Sequence, residues 1–375
     1  MKNILITGGA GFIGSRLCEK LFDLGYSITV LDNLSTQIHG NIESALYNRI
    51  KKKCIFIKGD VRNLDDWKQA IKGQEIIVHL AAETGTGQSM YESKKYNDVN
   101  VMGTSYMFDV LSSFKHNVQK IIVASSRAVY GEGKYFCSVH NEVYPTKRNE
   151  LDLDSGEFNL KCDICGTDLK LLATDEDSKL NPLSVYGKTK QEQEQMVMLR
   201  GKTLGIPTIA FRYQNVYGPG QSLSNPYTGI MSIFSTSILN GNDLDIYEDG
   251  LESRDFVYIE DAVDATILGI ASKEANGHIF NIGSGVAITV KEVAEYLKKC
   301  YVANISISVS GKYRIGDIRH NYADLSKTEA VLGFIPKYHF KKGISKFVKW
   351  VKGQDIMEDK YKESILELKQ KGLIR

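Results

Sequence analysis

The chain has 375 residues, 42% of them hydrophobic and 25% charged, with a formal net charge of +2 at pH 7. This is enough chain for a sizeable core and two lobes, and the composition is that of a globular protein, not a disordered or fibrous one. A near-balanced charge without a basic block gives no ground for a nucleic-acid partner, and no apolar run approaches the roughly 20 residues needed to cross a bilayer.

The opening MKNILITGGAG reaches glycines too early for a signal-peptide core, so a soluble cytoplasmic protein with reduced thiols is expected. Strands are predicted at 3–7, 27–31, 54–59, 75–80, 120–125 and 206–213, all rich in β-branched residues. Helical patterns near 12–24, 64–71 and 97–115 separate the earlier strands. That alternation predicts βαβ units and a Rossmann-type α/β fold, a doubly wound parallel sheet. From 131 to 182 the pattern breaks into a polar segment without sustained period, which reads as an insertion. A helix is predicted at 183–204, and further helices near 228–240, 261–272, 289–300 and 343–352. The division expected is a cofactor domain over 1–216, including the insertion, and a smaller substrate lobe mainly over 217–353. Some segments of that lobe return to the first domain, and a helical tail covers 354–375.

ITGGAGFIG places Gly8, Gly11 and Gly14 directly after the first strand and at the start of a helix. Glycine lets the backbone turn tightly and approach a pyrophosphate, which then sits on the free N–H groups of the helix N-terminus. Asp32, in VLDNLS at the end of the second strand, can accept bonds from ribose hydroxyls and would repel a 2′-phosphate, so NAD is expected over NADP. Asp60, in the GDV ending the third strand, is placed to meet the adenine.

YGKTK puts Tyr186 and Lys190 four apart at a helix start, on one face. A tyrosine is a poor base at neutral pH; a lysine ammonium one turn away and a positive nicotinamide would lower its pKa. Ser126, in ASSRAVYG, offers a hydroxyl to hold the substrate oxygen that exchanges its proton.

TGGAGFIG, LDN, GDV, HLAA, the NVMGT containing Asn100, the Ser126/Tyr186/Lys190 set, RYQNVYGPGQ, RDFVYIEDA and FNIGSG follow in the order of a known family. Over nearly its whole length the chain resembles an extended short-chain dehydrogenase/reductase of the nucleotide-sugar epimerase/dehydratase family. The resemblance extends the cofactor set to Phe12, Ile13 and Asn33, to Val61, and to Leu80, Ala81, Ala82 and Asn100. It also implies that Asn215, Arg254, Arg314 and Asp317 contact the phosphates, ribose or base of a nucleotide sugar. A guanidinium such as Arg254 or Arg314 is the expected donor to a diphosphate; an ion pair is the other reading of each. Arg127 is counted with the substrate contacts, as are Thr84, Thr86 and Ser89, for which turn or cap hydroxyls are the alternative. Relatives often form dimers, and the helices at 97–115 and 183–204 would supply a homodimer interface here.

The residues after the catalytic hydroxyl separate the reactions this scaffold supports. Eliminating water needs an extra acid and base. Family 4,6-dehydratases carry an Asp-Glu pair at that point, where this chain has Arg127 and Ala128. The acid of decarboxylating relatives and the Cys/His pair of the reductase relatives are also missing. The resemblance therefore points to an NAD-dependent nucleotide-sugar 4-epimerase that oxidises C4 and returns the hydride. A finer resemblance, carried by AAETGTGQSMYE, SSRAVYGEGKYFC and the insertion, is to the subgroup acting on dTDP-L-rhamnose to make 6-deoxy-L-talose nucleotides. A nucleotide-sugar 4-dehydrogenase and a catalytically silent NAD-binding scaffold stay open as alternatives.

Cys18, Cys54 and Cys300 lie in apolar segments and read as small hydrophobes. In the insertion, Cys137 and His140, then Cys162 and Cys165, form two ligand pairs of Cys-x-x-His and Cys-x-x-Cys type. An excursion this small cannot build its own core and needs a staple. The two pairs fit a closed, structural Cys₃His zinc site, and Gly166 suits the tight turn after a ligand knuckle. Free thiols and a redox Cys-x-x-Cys are the alternatives.

Overall fold

The strand Asn3–Thr7 buries every residue from Ile4 to Thr7 and lies inside a seven-stranded sheet. The structure is a computed structural model that describes residues 2–40, 44–146, 148–225, 227 and 229–375. Across the sheet the strands stand in the order Ile279–Ile282, Thr208–Tyr213, Lys120–Ser126, Ile76–His79, Asn3–Thr7, Ser27–Asp32, Ile55–Lys58. Every neighbouring pair is parallel. Side chains alternate between faces: Ile4, Ile6, Val30 and Val78 join one core, Leu5, Leu31, Ile77 and Trp67 the other. The strand order reverses between Asn3–Thr7 and Ile76–His79, which opens a crevice at the carboxyl ends of these strands.

Six of these strands match the sequence reading. The seventh, Ile279–Ile282, comes from the FNIGSG motif and pairs with Thr208–Tyr213, so a short run from the second half of the chain completes the sheet. The helix expected over 97–115 divides into a π-helical turn, Asn97–Met102, and an α-helix, Gly103–Ser113. The wider turn holds Asn100, whose carboxamide accepts from Glu83 N at 2.8 Å and donates to Thr189 Oγ1 at 3.0 Å. A π-turn of this kind commonly marks a functional position.

In the second half, Ser253–Tyr258 pairs with Asn215–Tyr217, Ala287–Thr289 and His320–Asn321. The insertion forms a three-stranded sheet of Asn141–Val143, Tyr135–Cys137 and Lys170–Leu171, followed in space by a short helix, Glu150–Asp154. Leu153 and Phe158 pack on Tyr313, and Arg148 donates to Glu248 at 2.7 Å, so apolar and ionic contacts both tie the insertion to the second half. The tail is helical only over Tyr361–Gln370. Among the described residues no helix is long and apolar enough to cross a membrane.

Candidate active site

The first turn after Asn3–Thr7 admits little besides glycine. Gly8 has φ +67°, and a Cβ there would lie 2.7 Å from Ala81 N; a Cβ on Gly14 would lie 2.3 Å from Gly8 O. No side chain caps the helix Phe12–Asp23 at Gly11, which leaves its first N–H groups open to an anion. Asp32 accepts from Ala10 N at 3.0 Å and Leu34 N at 2.9 Å, fixing its carboxylate at the strand end. Burial pushes its pKa up, against those two donors and the nearby His39 imidazole. These features fit a dinucleotide: a cradle that a Cβ would fill, an open helix N-terminus and a ribose-facing carboxylate.

A single cavity of about 860 Å³ runs from this turn across the carboxyl ends of the strands. Gly8, Gly11, Phe12, Ile13, Gly14, Asp32, Asn33, Val61, Leu80, Ala81 and Ala82 line one part. Thr84, Thr86, Ser126, Arg127, Tyr186, Lys190 and Asn215 line the rest. Asp60 is not on its wall. It takes bonds from Arg62 Nη2 at 2.7 Å and Asn33 Nδ2 at 3.0 Å, which against burial hold its pKa down at about 2. Asn100 also lies behind the wall, bracing the backbone at Glu83.

Ser184 caps the helix Val185–Leu204 by accepting from Gly187 N at 3.1 Å. Gly187 allows that helix to seat against the Arg127–Val129 turn, since a Cβ there would lie 2.6 Å from Ala128 O. Tyr186 and Lys190 enter the cavity from this helix, and Ser126 and Arg127 from the end of Lys120–Ser126. Burial raises the Tyr186 pKa, while the Ser126 hydroxyl and the Arg127 guanidinium pull it down. The buried Lys190 ammonium donates to Gln193 Oε1, and burial takes its pKa down to about 7 against the pull of Glu194. Gln193 in turn donates to Thr104 Oγ1 at 2.8 Å. Ser89 is buried under the site, and its hydroxyl accepts from Tyr186 N at 3.0 Å. It braces the tyrosine's backbone and does not face the cavity.

Arg127, pushed down to about 9 by burial and the like charge of Arg254, donates from Nε to Asn215 Oδ1 at 2.8 Å. Arg254 spends both Nη atoms on neighbours, including Ile318 O at 2.7 Å and Asp317 Oδ1 at 3.2 Å. Arg314 differs: its Nε is buried with no hydrogen-bond partner, and its guanidinium sits 5.0 Å over the Tyr247 ring. Arg254, Arg314 and Asp317 stand outside the wall of the main cavity. Gln193, His39 and Tyr227 escaped the sequence reading. Only Gln193 had a signal, its place one turn beyond Lys190 on the same helix face.

The insertion brings its four expected ligands together. Cys137 Sγ lies 3.6 Å from Cys165 Sγ and from His140 Nδ1, and Cys162 Sγ lies 3.6 Å from His140 Nδ1. All four ligand atoms fall within 4.8 Å of one another. Gly166 follows at φ +72°, and its N–H closes the turn on Cys162 O at 2.9 Å. Of the remaining cysteines, Cys18 is buried, and Cys54 and Cys300 are half-buried.

Fold and cradle together define a dinucleotide-binding Rossmann protein, with residues from the second half of the chain completing the cavity wall at the carboxyl ends of its strands. Residues 4–150 and 164–283 match the NAD dependent epimerase/dehydratase family, and the chain belongs to it. It is 38% identical over 352 residues to the dTDP-L-rhamnose 4-epimerase of Burkholderia thailandensis, covering 93% of this chain and 95% of that one. Among solved structures it resembles the UDP-glucose 4-epimerase of Thermotoga maritima with UDP-glucose, at 27% identity and TM-score 0.75. It also resembles the UDP-glucuronic acid 4-epimerase of Bacillus cereus in complex with UDP-glucuronic acid and NAD, at 25% identity and TM-score 0.75. Each comparison covers 94% of this chain and 99% of the other.

Proposed function

We propose that the chain is an NAD-dependent nucleotide-sugar 4-epimerase. The observation that carries the reading is one cavity lined by Gly8, Asp32, Ser126, Tyr186 and Lys190, with Arg127 and Ala128 where a dehydratase needs its acid and base. Gly8, Gly11, Gly14 and Asp32 would hold NAD, which when bound supplies the hydride acceptor and donor and a positive ring. Tyr186 takes the proton of the sugar 4-hydroxyl, Ser126 holds that oxygen, and the charge of Arg127 stabilises the phenolate against its burial, with Lys190 one turn along the same helix. The 4-keto sugar swings about its diphosphate link and takes the hydride back on the other face, while Tyr186 returns the proton. Arg127, the arginine on the cavity wall, is the nearest guanidinium to such a ligand, while Arg314 keeps an unpartnered Nε just outside that wall.

For the sugar, the relationship to the dTDP-L-rhamnose 4-epimerase favours dTDP-L-rhamnose and its 4-epimer. A turnover panel over dTDP-, UDP-, GDP- and CDP-sugars, with absorbance followed at the NADH band, tests both points. Epimer formation without net NADH is the result expected, and Tyr186→Phe should abolish it. Stoichiometric release of NADH and keto sugar would replace the reading with a 4-dehydrogenase.

Cys137, His140, Cys162 and Cys165 are read as a closed zinc site. Zinc bonds of about 2.3 Å to sulfur and 2.0–2.1 Å to nitrogen put tetrahedral ligand edges at roughly 3.5–3.8 Å, close to the separations here. Four protein ligands leave no open position, so the metal would staple the insertion and take no part in turnover. The protein should purify with about one equivalent of zinc, lowered in Cys162→Ser. Full stability without zinc would refute it. A homodimer through the helical stretch 97–113 and the helix Val185–Leu204 is supported by Met102 and Leu199, exposed on these elements.

A further inference from the structure

The last 22 residues, 354–375, reach both the main cavity and the segment that carries Arg314. Gln354 and Met357 line the main cavity. In the helix Tyr361–Gln370, Glu367 accepts from the phenol of Tyr227, another residue of the cavity wall. Tyr227 in turn abuts Gly85: a Cβ there would lie 3.6 Å from Tyr227 O and 3.7 Å from its Cβ. One residue on, Leu368 is buried, with its methyls 3.5 and 3.8 Å from where a Cβ of Gly87 would stand. Gly87 belongs to the turn Thr86–Ser89, whose Ser89 holds Tyr186 N. Beyond the helix, Tyr313 N donates to Arg375 O at 2.9 Å and Ile315 N to Leu373 O at 3.0 Å, clamping the segment that carries Arg314.

We propose that 354–375 is a wall of the substrate site, with Glu367 a positioning residue that fixes Tyr227 and the Thr86–Ser89 turn around the sugar. The inference deepens the epimerase reading and rests on it for the identity of the ligand. A sugar whose 4-keto form must turn over without escaping needs a closed chamber, and this segment ties the cavity wall at Tyr227 and Gly85 to the strand-like run Tyr313–Ile315. Leu368 fills the space that glycine leaves at position 87, so a smaller contact there would loosen the turn beneath Tyr186. Glu367→Gln keeps the shape but weakens the bond to Tyr227 from a charged to a neutral one.

The experiment compares the NAD-loaded full chain with Glu367→Gln and with a variant ending at 353. For Glu367→Gln the expected result is a KM for the nucleotide sugar raised at least fivefold, with kcat within twofold of the parent and unchanged NAD content. The shortened chain should bind UDP and dTDP at least fivefold more weakly by calorimetry. With substrate it should accumulate the reduced cofactor, seen at the NADH band, as keto sugar escapes. A lowered melting temperature with unchanged KM and unchanged UDP and dTDP binding would overturn the proposal and leave the segment a purely structural tie. If the parent protein turns over no sugar in the panel, the epimerase reading falls; the calorimetric comparison still decides the wall.

Discussion

Glu194 and Arg212 tie the helix that carries Tyr186 and Lys190 to the sheet. Arg212 Nη2 lies 2.6 Å from Glu194 Oε1 and its Nε 3.0 Å from Oε2, with side-chain exposures of 3% and 1%. Ser125 adds a bond to Glu194 Oε2 at 2.5 Å, while Arg212 Nη1 reaches Tyr130 Oη at 2.8 Å and Glu176 O at 2.9 Å. Glu194→Ala removes the carboxylate and leaves the guanidinium buried with only neutral acceptors from this set. Stranding a buried charge costs about 3–5 kcal/mol. Against a total stability of about 5–15 kcal/mol, that is roughly a fifth or more of what holds the fold. With about 1.3 °C per kcal/mol in a chain of this size, the melting temperature should fall by roughly 4–6 °C.

Arg212→Met should cost a similar amount, because it strands the carboxylate instead. The double change Glu194→Ala with Arg212→Met removes both charges at once, so it should cost far less than the two single changes added together. Urea unfolding of the parent, both single variants and the double variant gives the coupling directly. A Glu194→Ala loss below about 1 kcal/mol, or costs that simply add, would refute the argument that burial makes this pair matter.

Two further outcomes follow from the same geometry. Gly14→Ala places a methyl 2.3 Å from Gly8 O, so the purified variant should keep its fold by circular dichroism but lose bound NAD; a full NAD complement would contradict the cradle. His79 is wholly buried, and burial, then the nearby Lys190 charge, lowers its pKa to about 3 from an ordinary 6.5. The unfolded chain therefore takes up the proton first as pH falls. The stability tied to neutral His79 is complete above pH 6.5 and is lost towards pH 3 at about 1.4 kcal/mol per unit. His79→Gln should lose about 2 kcal/mol less than the parent between pH 6.5 and 5, measured by denaturant unfolding. Equal losses would show that the imidazole protonates in the folded protein.

Much of the site was legible because its parts are local. The turn that needs Gly8 and Gly14, the acid ending the next strand and the Tyr186/Lys190 spacing each express a constraint within one βαβ unit or one helical turn. The convergence of Cys137, His140, Cys162 and Cys165 was legible for a related reason: two short knuckles, each readable alone, needed only to meet. What escaped was built from distant pieces. The strand Ile279–Ile282 is four residues long and completes the sheet only because Thr208–Tyr213 offers a free edge. The segment 354–375 shows helical period in sequence, but nothing in its residues says that Leu368 would pack on Gly87 or Glu367 reach Tyr227.

The charges around Tyr186 show most clearly what a motif leaves out. Spacing alone puts Lys190 one turn away and suggests that its ammonium tunes the phenol. In the fold that ammonium is given to Gln193, in a network running on to Thr104, and the cation acting on the phenol is Arg127. Arg127 is turned towards the cavity because Asn215 holds its Nε and because the Arg127–Val129 turn is pressed against Gly187. None of those partners lies within 50 residues of it in the chain. The position that argued against a dehydratase by lacking an acid thus gains a positive use: it brings a second charge to the tyrosine. Bound cofactor would then have to draw Lys190 off Gln193 before both cations could act on the proton transfer together.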